Sequence, residues 1–376
     1  MTRIHRTHRI ARPLAAASAL AFAAVAAAPA GADELVYGTH VPSTHSTADT
    51  VIVPWIDAVK DATGGDYEIT MQWGGAVAKN AAIPGAIRDG LIDMGLMPDV
   101  YSPGEFPSSV VITSIALPGT DIRVMTGVAS EARMLNCPGC VEEFAETDTV
   151  LISSSAIAPQ YLMCKEPVTS LADLSGKKVR ASGAPARVMA ALGATPVALQ
   201  FTDTYEAMER GQVDCTTGVE TFMKDYNWWD SGKYVLELPL GTYHGVLILM
   251  NKYKYEDMAP ETREAFDATL AGMTADYAFV YTEETELARK LAVEEHGVTY
   301  VAPDQDILDA IEAFKVEELK AAVETGEKRG AVNPQGLADL TLDLIEKWTA
   351  IVAEEGGDRA GFTAALQREV YDKVER

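Results

Sequence analysis

The sequence predicts an α/β protein of two lobes, each a mostly parallel sheet flanked by helices. Two observations carry this. The chain contains two separate β-α-β-α-β runs, over 35–97 and 177–216. Residues 33–376 are also too many for one ordinary domain. Consecutive strands joined by helices pair in parallel, and two such runs, separated by about eighty residues of chain, imply two sheets rather than one.

The second run is the more informative. After the Gly176 turn, 177–181 reads as a short strand, and Ser182, Gly183 and Pro185 carry helix-start chemistry for a helix through 188–192. Gly193 ends that helix, 195–199 is the next strand, 205–210 a second helix closed by Gly211, and 213–216 a third strand. Ligands of open parallel sheets gather at the carboxyl ends of the strands. Arg180 with Ser182, Phe201, and the segment from Thr216 to Gly218 stand there. A guanidinium presents a planar fork that matches a carboxylate in two parallel bonds. Arg180 therefore reads either as the anchor for an anionic ligand or as a strand-end arginine paired with a nearby acid.

The first run opens with a strand at 35–38 and a polar loop, Thr39-His40-Val41-Pro42-Ser43-Thr44-His45-Ser46, that leads into a helix through Trp55, Ile56 and Val59. A strand at 66–72, a helix at 82–88 and a buried strand at 91–97 complete it. Its strand ends nominate His40, Trp73 and Asp99. His40 is a ligand contact or a loop histidine satisfied by backbone, and Trp73 is pocket wall or core. Asp99 is placed to orient a hydroxyl or an amine. The chain then reads as crossing to the second lobe over 153–159 and returning near Tyr243 into the apolar run 246–250. Between them Glu220, Phe222, Tyr226, Trp228 and Trp229 form an aromatic-rich amphipathic segment, read as lobe packing in preference to a stacking platform; Glu220 and Tyr243 join the ligand-contact candidates. A long helical pattern runs from Pro260 to about Glu295, and helices over 305–328, 334–355 and 359–373 are read as scaffold.

Residues 1–32 have the form of a secretory leader: Arg3, Arg6, Arg9 and Arg12, then an alanine-rich apolar core, then Ala30-Gly31-Ala32 as cleavage site. The core is too short to span a bilayer. Without a lipid-attachment cysteine, the expectation is a free periplasmic protein cleaved after Ala32. Removing those four arginines takes the formal charge from −24 to −28. That argues against nucleic acid, and against an anionic membrane surface, as partner. Four cysteines in an exported chain suggest two disulfides. Cys137-Pro-Gly-Cys140 follows a helical run and reads as a structural local loop rather than a redox site. Cys164 and Cys215, each in an expected strand, should bridge neighbouring strands. There is no Gly-x-Ser-x-Gly elbow, no His-Glu-x-x-His and no phosphate-cradling Gly-x-x-x-x-Gly-Lys-Ser/Thr, which argues against a periplasmic enzyme. No metal-ligand spacing stands out, and no cofactor is expected.

In order and spacing, "TGGDYEITMQWGG", "AIRDGLIDMGLM", "SLADLSGKKVRASG", "ALGATPVALQFTDTYEAMERGQVD" and "MAPETREAF" make the chain resemble the substrate-binding subunits of tripartite ATP-independent periplasmic (TRAP) transporters, dicarboxylate type. The resemblance implies a two-lobed flytrap with a long lobe-spanning helix, its segments being 33–156 and 244–283 for the first lobe and 157–243 and 284–376 for the second. It also implies capture of a small organic acid and delivery to the small and large membrane subunits of a permease driven by an ion gradient. Arg180 would hold the ligand carboxylate and Phe201 would line the cleft. Two departures stand out. Cys215-Thr-Thr-Gly-Val219 replaces the Gly-Gln-Glu-Asn-Pro run of many relatives, leaving Gly218 where an asparagine contact is usual. Around Pro159-Gln160-Tyr161 there is no second arginine. A monocarboxylate is then as good a candidate as a diacid.

Overall fold

The structure, a computed structural model, describes residues 1–2 and 32–375. The expected leader lies almost wholly outside the described residues. Eleven strands follow in chain order: β1 (Asp33–Thr39), β2 (Tyr67–Gln72), β3 (Met94–Pro98), β4 (Thr149–Ser155), β5 (Tyr161–Cys164), β6 (Lys178–Arg180), β7 (Thr195–Val197), β8 (Cys215–Gly218), β9 (Tyr234–Leu236), β10 (Val246–Asn251) and β11 (Thr299–Val301). They form a five-stranded sheet in the order β2-β1-β3-β10-β4 and a six-stranded sheet in the order β11-β9-β5-β8-β6-β7.

Each sheet is parallel in direction apart from one reversed strand. β10 runs antiparallel to both β3 and β4, and β5 antiparallel to both β8 and β9. The reversed strand is in each case the one that arrives from the other sheet directly, without an intervening helix. It enters at the rim where the carboxyl ends of the parallel strands lie, so it can only run the opposite way. The two crossing segments touch at a bridge between Pro159 and Thr242.

Apolar faces explain the layers. Tyr37, Trp55, Val59, Ile83 and Ile87 are buried under the first sheet, and Leu162, Leu174, Val179, Val188 and Ile307 under the second. Fully burying such a side chain contributes about 1.5–3 kcal/mol. The helix Leu270–Glu294 packs against β4 on one side and against the short helix Thr221–Asp225 on the other, joining the two halves. The helical pattern expected as continuous from Pro260 is broken into Pro260–Asp267 and Leu270–Glu294. The Thr269 hydroxyl donates back to the Phe266 carbonyl at 2.7 Å and accepts from Trp55 Nε1 at 2.9 Å, a local bond that competes with the helical ladder.

Both cysteine pairs are closed. Cys164–Cys215 joins neighbouring β5 and β8 at directly opposed positions. Cys137–Cys140 spans the first turn of the helix Pro138–Glu146, where the Cys137 sulfur accepts from the Cys140 amide at 3.1 Å. The motif thus opens a helix rather than forming a free loop, and both sulfurs are buried away from any exchange partner. Chain-entropy arithmetic gives a cross-link over 51 residues about 4 kcal/mol, and one over three residues less than half as much. Denaturant unfolding of the paired alanine variants should therefore show a far larger loss for Cys164 and Cys215 than for Cys137 and Cys140; equal losses would contradict this.

Candidate ligand site

A cavity of about 80 Å³ lies between the carboxyl ends of the two sheets. The first sheet and its helices contribute His40, His45, Tyr101, Tyr243, Tyr277 and Tyr281 to its wall, and the second contributes Gln160, Arg180, Ser182, Phe201, Gly218, Phe222 and Tyr226. The wall is aromatic on both sides. Arg180 is the one lysine or arginine among the described residues that line it.

Arg180 is the last residue of β6, between Val197 of β7 and Thr216 of β8. Adjacent strand ends turn their carbonyls onto it: Nε donates to Leu199 O at 3.0 Å and one terminal nitrogen to Thr217 O at 3.3 Å. The other terminal nitrogen donates to Tyr101 Oη at 2.9 Å, across the cleft, and to Ser182 Oγ at 3.4 Å. The residue is 4% exposed. Among the described residues no carboxylate forms an ion pair with it; every partner is neutral. The turn that frees this strand end depends on Gly183, whose φ of 64° is open to glycine and strained for other residues.

Phe201 packs face to face with Phe222, ring centroids 5.3 Å apart, while His40 and Tyr226 stand edge-on to it at 5.2 and 5.5 Å. Gly218 leaves room for this cluster: a Cβ there would come within 2.4 Å of the Trp228 ring and 3.3 Å of Phe222. The asparagine contact that the family resemblance leads one to expect here would collide with those rings.

Burial holds His40 and His45 at about 3, so both are neutral throughout the physiological range. The Thr47 amide donates to His45 Nδ1 at 3.1 Å, leaving the proton on Nε2, which faces Asp225 Oδ2 at 3.3 Å. Ser46 Oγ donates to Asp225 Oδ1 at 2.7 Å. Loop 40–47 from the first half is thereby clasped to the helix Thr221–Asp225 of the second. Desolvation pushes the Asp225 carboxyl up to about 6, against the pull of Ser46 and Lys224.

Six sequence-nominated residues meet at this cavity: Arg180, Ser182, Phe201, His40, Gly218 and Tyr243. Three do not line it. Trp73 is half-buried against the first core. Glu220 turns away, accepting from the Tyr300 hydroxyl and lying 4.0 Å from Arg289. Asp99 is fully buried behind the wall, paired with Arg133 at 3.3 Å and accepting from Ser109, Thr113 and Tyr243 Oη at 2.7, 2.6 and 3.1 Å. It fixes Tyr243 and orients no ligand group directly. The 3₁₀ turn Asp99–Tyr101 explains the error: it sends Asp99 inward and presents Tyr101 to the cleft. Phe222 and Tyr226, read as lobe packing, are both packing and wall. Tyr277 and Tyr281, one turn apart on the long helix, went unnominated; their i, i+4 spacing was the available signal.

Known proteins share this architecture. A TRAP solute binding protein from a marine metagenome (unidentified microbe), specific for aromatic acid ligands and co-crystallised with 3-hydroxybenzoate, matches with a TM-score of 0.76 at 21% identity, over 85% of this chain and 99% of that one. A TRAP periplasmic solute binding protein from Bordetella bronchiseptica, with bound mandelate, matches with a TM-score of 0.73 at 19% identity, over 84% and 99%. At such identities these likenesses speak for the fold. The 2,3-diketo-L-gulonate-binding periplasmic protein YiaO of Escherichia coli is 27% identical over 103 residues, 27% of this chain and 31% of its own length. Protein YiiZ of Salmonella typhimurium is 23% identical over 150 residues, 39% and 46%. The matches thus span 31% and 46% of these curated relatives' own length. The model of the bacterial extracellular solute-binding protein family 7 (DctP) matches residues 37–323. With that span covering both sheets and the cleft between them, the chain belongs to this family of solute-binding proteins.

Proposed function

We propose that this protein captures a small, ring-bearing organic monocarboxylate between its lobes and delivers it to the small and large membrane subunits of a TRAP permease. The observation that carries the reading is the Arg180 guanidinium, buried in an aromatic cavity with neutral partners alone. Taking an unpaired charge out of water costs several kcal/mol, and an anion held in the fork offsets that cost. With no second lysine or arginine among the described residues of the wall, a second carboxylate would lie there unpaired. Relatives of the same fold crystallised with 3-hydroxybenzoate, mandelate and benzoate, each a ring with one carboxylate, support the choice of ligand class. The lobes of the proposal are the segments 33–156 with 244–283 and 157–243 with 284–376, and residues 1–32 are its export leader, cleaved after Ala32 to leave a periplasmic protein.

The mechanism is closure. Arg180 to Tyr101, Ser46 to Asp225 and Arg187 to the Ser114 carbonyl at 2.9 Å all join the two halves. A ligand favours this arrangement only by binding it better than the open one, which requires contacts from both sides. Binding without chemistry is part of the proposal. The cleft histidines, held neutral down to about pH 3, are poor proton acceptors at neutral pH.

Calorimetry over a panel of aromatic and aliphatic acids should find a single-carboxylate ring compound as the tightest ligand, recovered unchanged after incubation. Arg180→Ala should weaken it by about 2–5 kcal/mol, with Arg180→Lys recovering little of the loss; unchanged affinity in either variant removes Arg180 from the site.

Closure should also respond to pH. The closed form raises Asp225 to about 6, whereas opening returns it to water and lowers it. The closed form therefore holds the proton more tightly and gains stability as pH falls through 6. His45 stays neutral there, and Lys224 and Glu284 face the same carboxylate as a pair at 2.5 Å. Affinity for a ligand that stays ionised should rise from pH 7.5 to 5.5, and Asp225→Asn should flatten the profile. A wild-type profile that is flat or falls toward acid would refute it.

A further inference from the structure

All but one of the N–H donors of Arg180 are engaged among the described residues. Nε donates to Leu199 O and Nη1 to Thr217 O, while Nη2 donates to Tyr101 Oη at 2.9 Å and to Ser182 Oγ at 3.4 Å. The remaining N–H is the second one on Nη1. A carboxylate held in two parallel bonds needs an N–H from each of two neighbouring nitrogens. The two carbonyls belong to β8 and to the chain leaving β7, which pairing with β6 holds in place. A carboxylate gripped end-on therefore takes the spare Nη1 position and one that Nη2 now gives to a hydroxyl.

Of the two hydroxyls, Tyr101 makes the shorter bond and comes from the opposite half. It lines the cavity and is only half-buried. Its position is pinned from both sides. Asp99, which opens the 3₁₀ turn Asp99–Tyr101, is locked behind the wall by Arg133, Ser109 and Thr113, and the Ser102 amide closes the turn on the Asp99 carbonyl at 2.9 Å. In front, Val100 sits against Gly183, where a Cβ would come within 3.3 Å of Val100 Cγ1. The Tyr101 hydroxyl thus stands beside Nη2 by construction. It accepts a bond from Arg180, and among the described residues its own proton goes to no acceptor. An anionic oxygen that takes over a bond from Nη2 arrives next to that proton.

Resting on the reading of Arg180 as the carboxylate anchor, we propose that Tyr101 is a second direct ligand contact: when the acid enters, its hydroxyl stops accepting from Nη2 and donates to the same carboxylate. The charged end of the ligand then touches both halves, Arg180 from the second and Tyr101 from the first. A ligand favours the closed arrangement only through contacts that the open one lacks, and this bond is one of them. Closure is driven by the carboxylate itself, and the aromatic wall adds affinity for the ring.

The test is calorimetry and stopped-flow fluorescence with benzoate, 3-hydroxybenzoate and mandelate, on wild type, Tyr101→Phe and a protein with 3-fluorotyrosine in place of Tyr101. Fluorine makes the phenol a stronger donor and a weaker acceptor. The direction of its effect therefore tells a hydroxyl that donates to the anion from one that only accepts from Arg180. For the tightest of these acids, Tyr101→Phe should weaken binding about tenfold or more, with the loss in the dissociation rate and the association rate kept within about threefold. Below the pH at which its phenol ionises, the fluorinated protein should bind that acid more tightly than wild type. It decides alone if Tyr101→Phe fails to fold. A smaller loss or a gain in Tyr101→Phe overturns the proposal and leaves Arg180 as the anchor, as does equal or weaker binding by the fluorinated protein. Failure of every one of these acids to bind wild type overturns the aromatic-acid reading together with the proposal.

Discussion

Two arginines in this chain are buried to nearly the same degree and are held in opposite ways. Arg133 is fully buried and meets Asp99 at 3.3 Å within a network of hydroxyls and carbonyls, so its charge is balanced inside the fold. Arg180 is buried where the halves meet and finds only carbonyl and hydroxyl oxygens. Its position follows from strand geometry, since flanking strands end beside it and turn their carbonyls inward. A charge arranged this way makes the closed state costly when empty and favourable with an anion inside. The closed arrangement and the bound anion thus become one event.

The rest of the architecture keeps that charge between the two halves. The reversed strands β5 and β10 put two chain crossings at the cleft, and the Pro159–Thr242 bridge ties them together. Asp99, at the end of β3, holds the Tyr243 hydroxyl on the return crossing, so one wall of the cavity is fixed to the buried Arg133 network. Opposite it, the clasp of His45 and Ser46 on Asp225 joins loop 40–47 to the second half through a carboxyl whose desolvation keeps it near its titration point. The first contact set is buried beside the Arg133 network, whereas the second runs between the halves, where the proposed closure would make and break it.

Much of this was legible from residue order alone. The β-α-β-α-β run over 177–216 placed Arg180, Ser182, Phe201 and Gly218 at one sheet rim, because strand direction and the carboxyl-end rule need only the alternation of elements. The same rule found the end of β3 but chose Asp99 over Tyr101, since a 3₁₀ turn reverses which side chain faces the cleft and has no strong sequence mark. Trp73 and Glu220 sit beside strand ends yet point elsewhere, Glu220 drawn to Tyr300 and Arg289 on distant elements. Tyr277 and Tyr281 lie on a helix contributed from far along the chain, and only its docking across both halves brings them to the wall. The break at Thr269 likewise depends on Trp55, a tertiary partner invisible to local propensity.

The most direct measurement is a structure determined with the tightest acid found by screening. The account predicts the ligand carboxylate about 2.8 Å from the terminal nitrogens of Arg180, between the two halves, with the Tyr101 hydroxyl shifted to make room. A ligand seated with its carboxylate elsewhere, while Arg180 keeps only its carbonyl, Tyr101 and Ser182 partners, would contradict it.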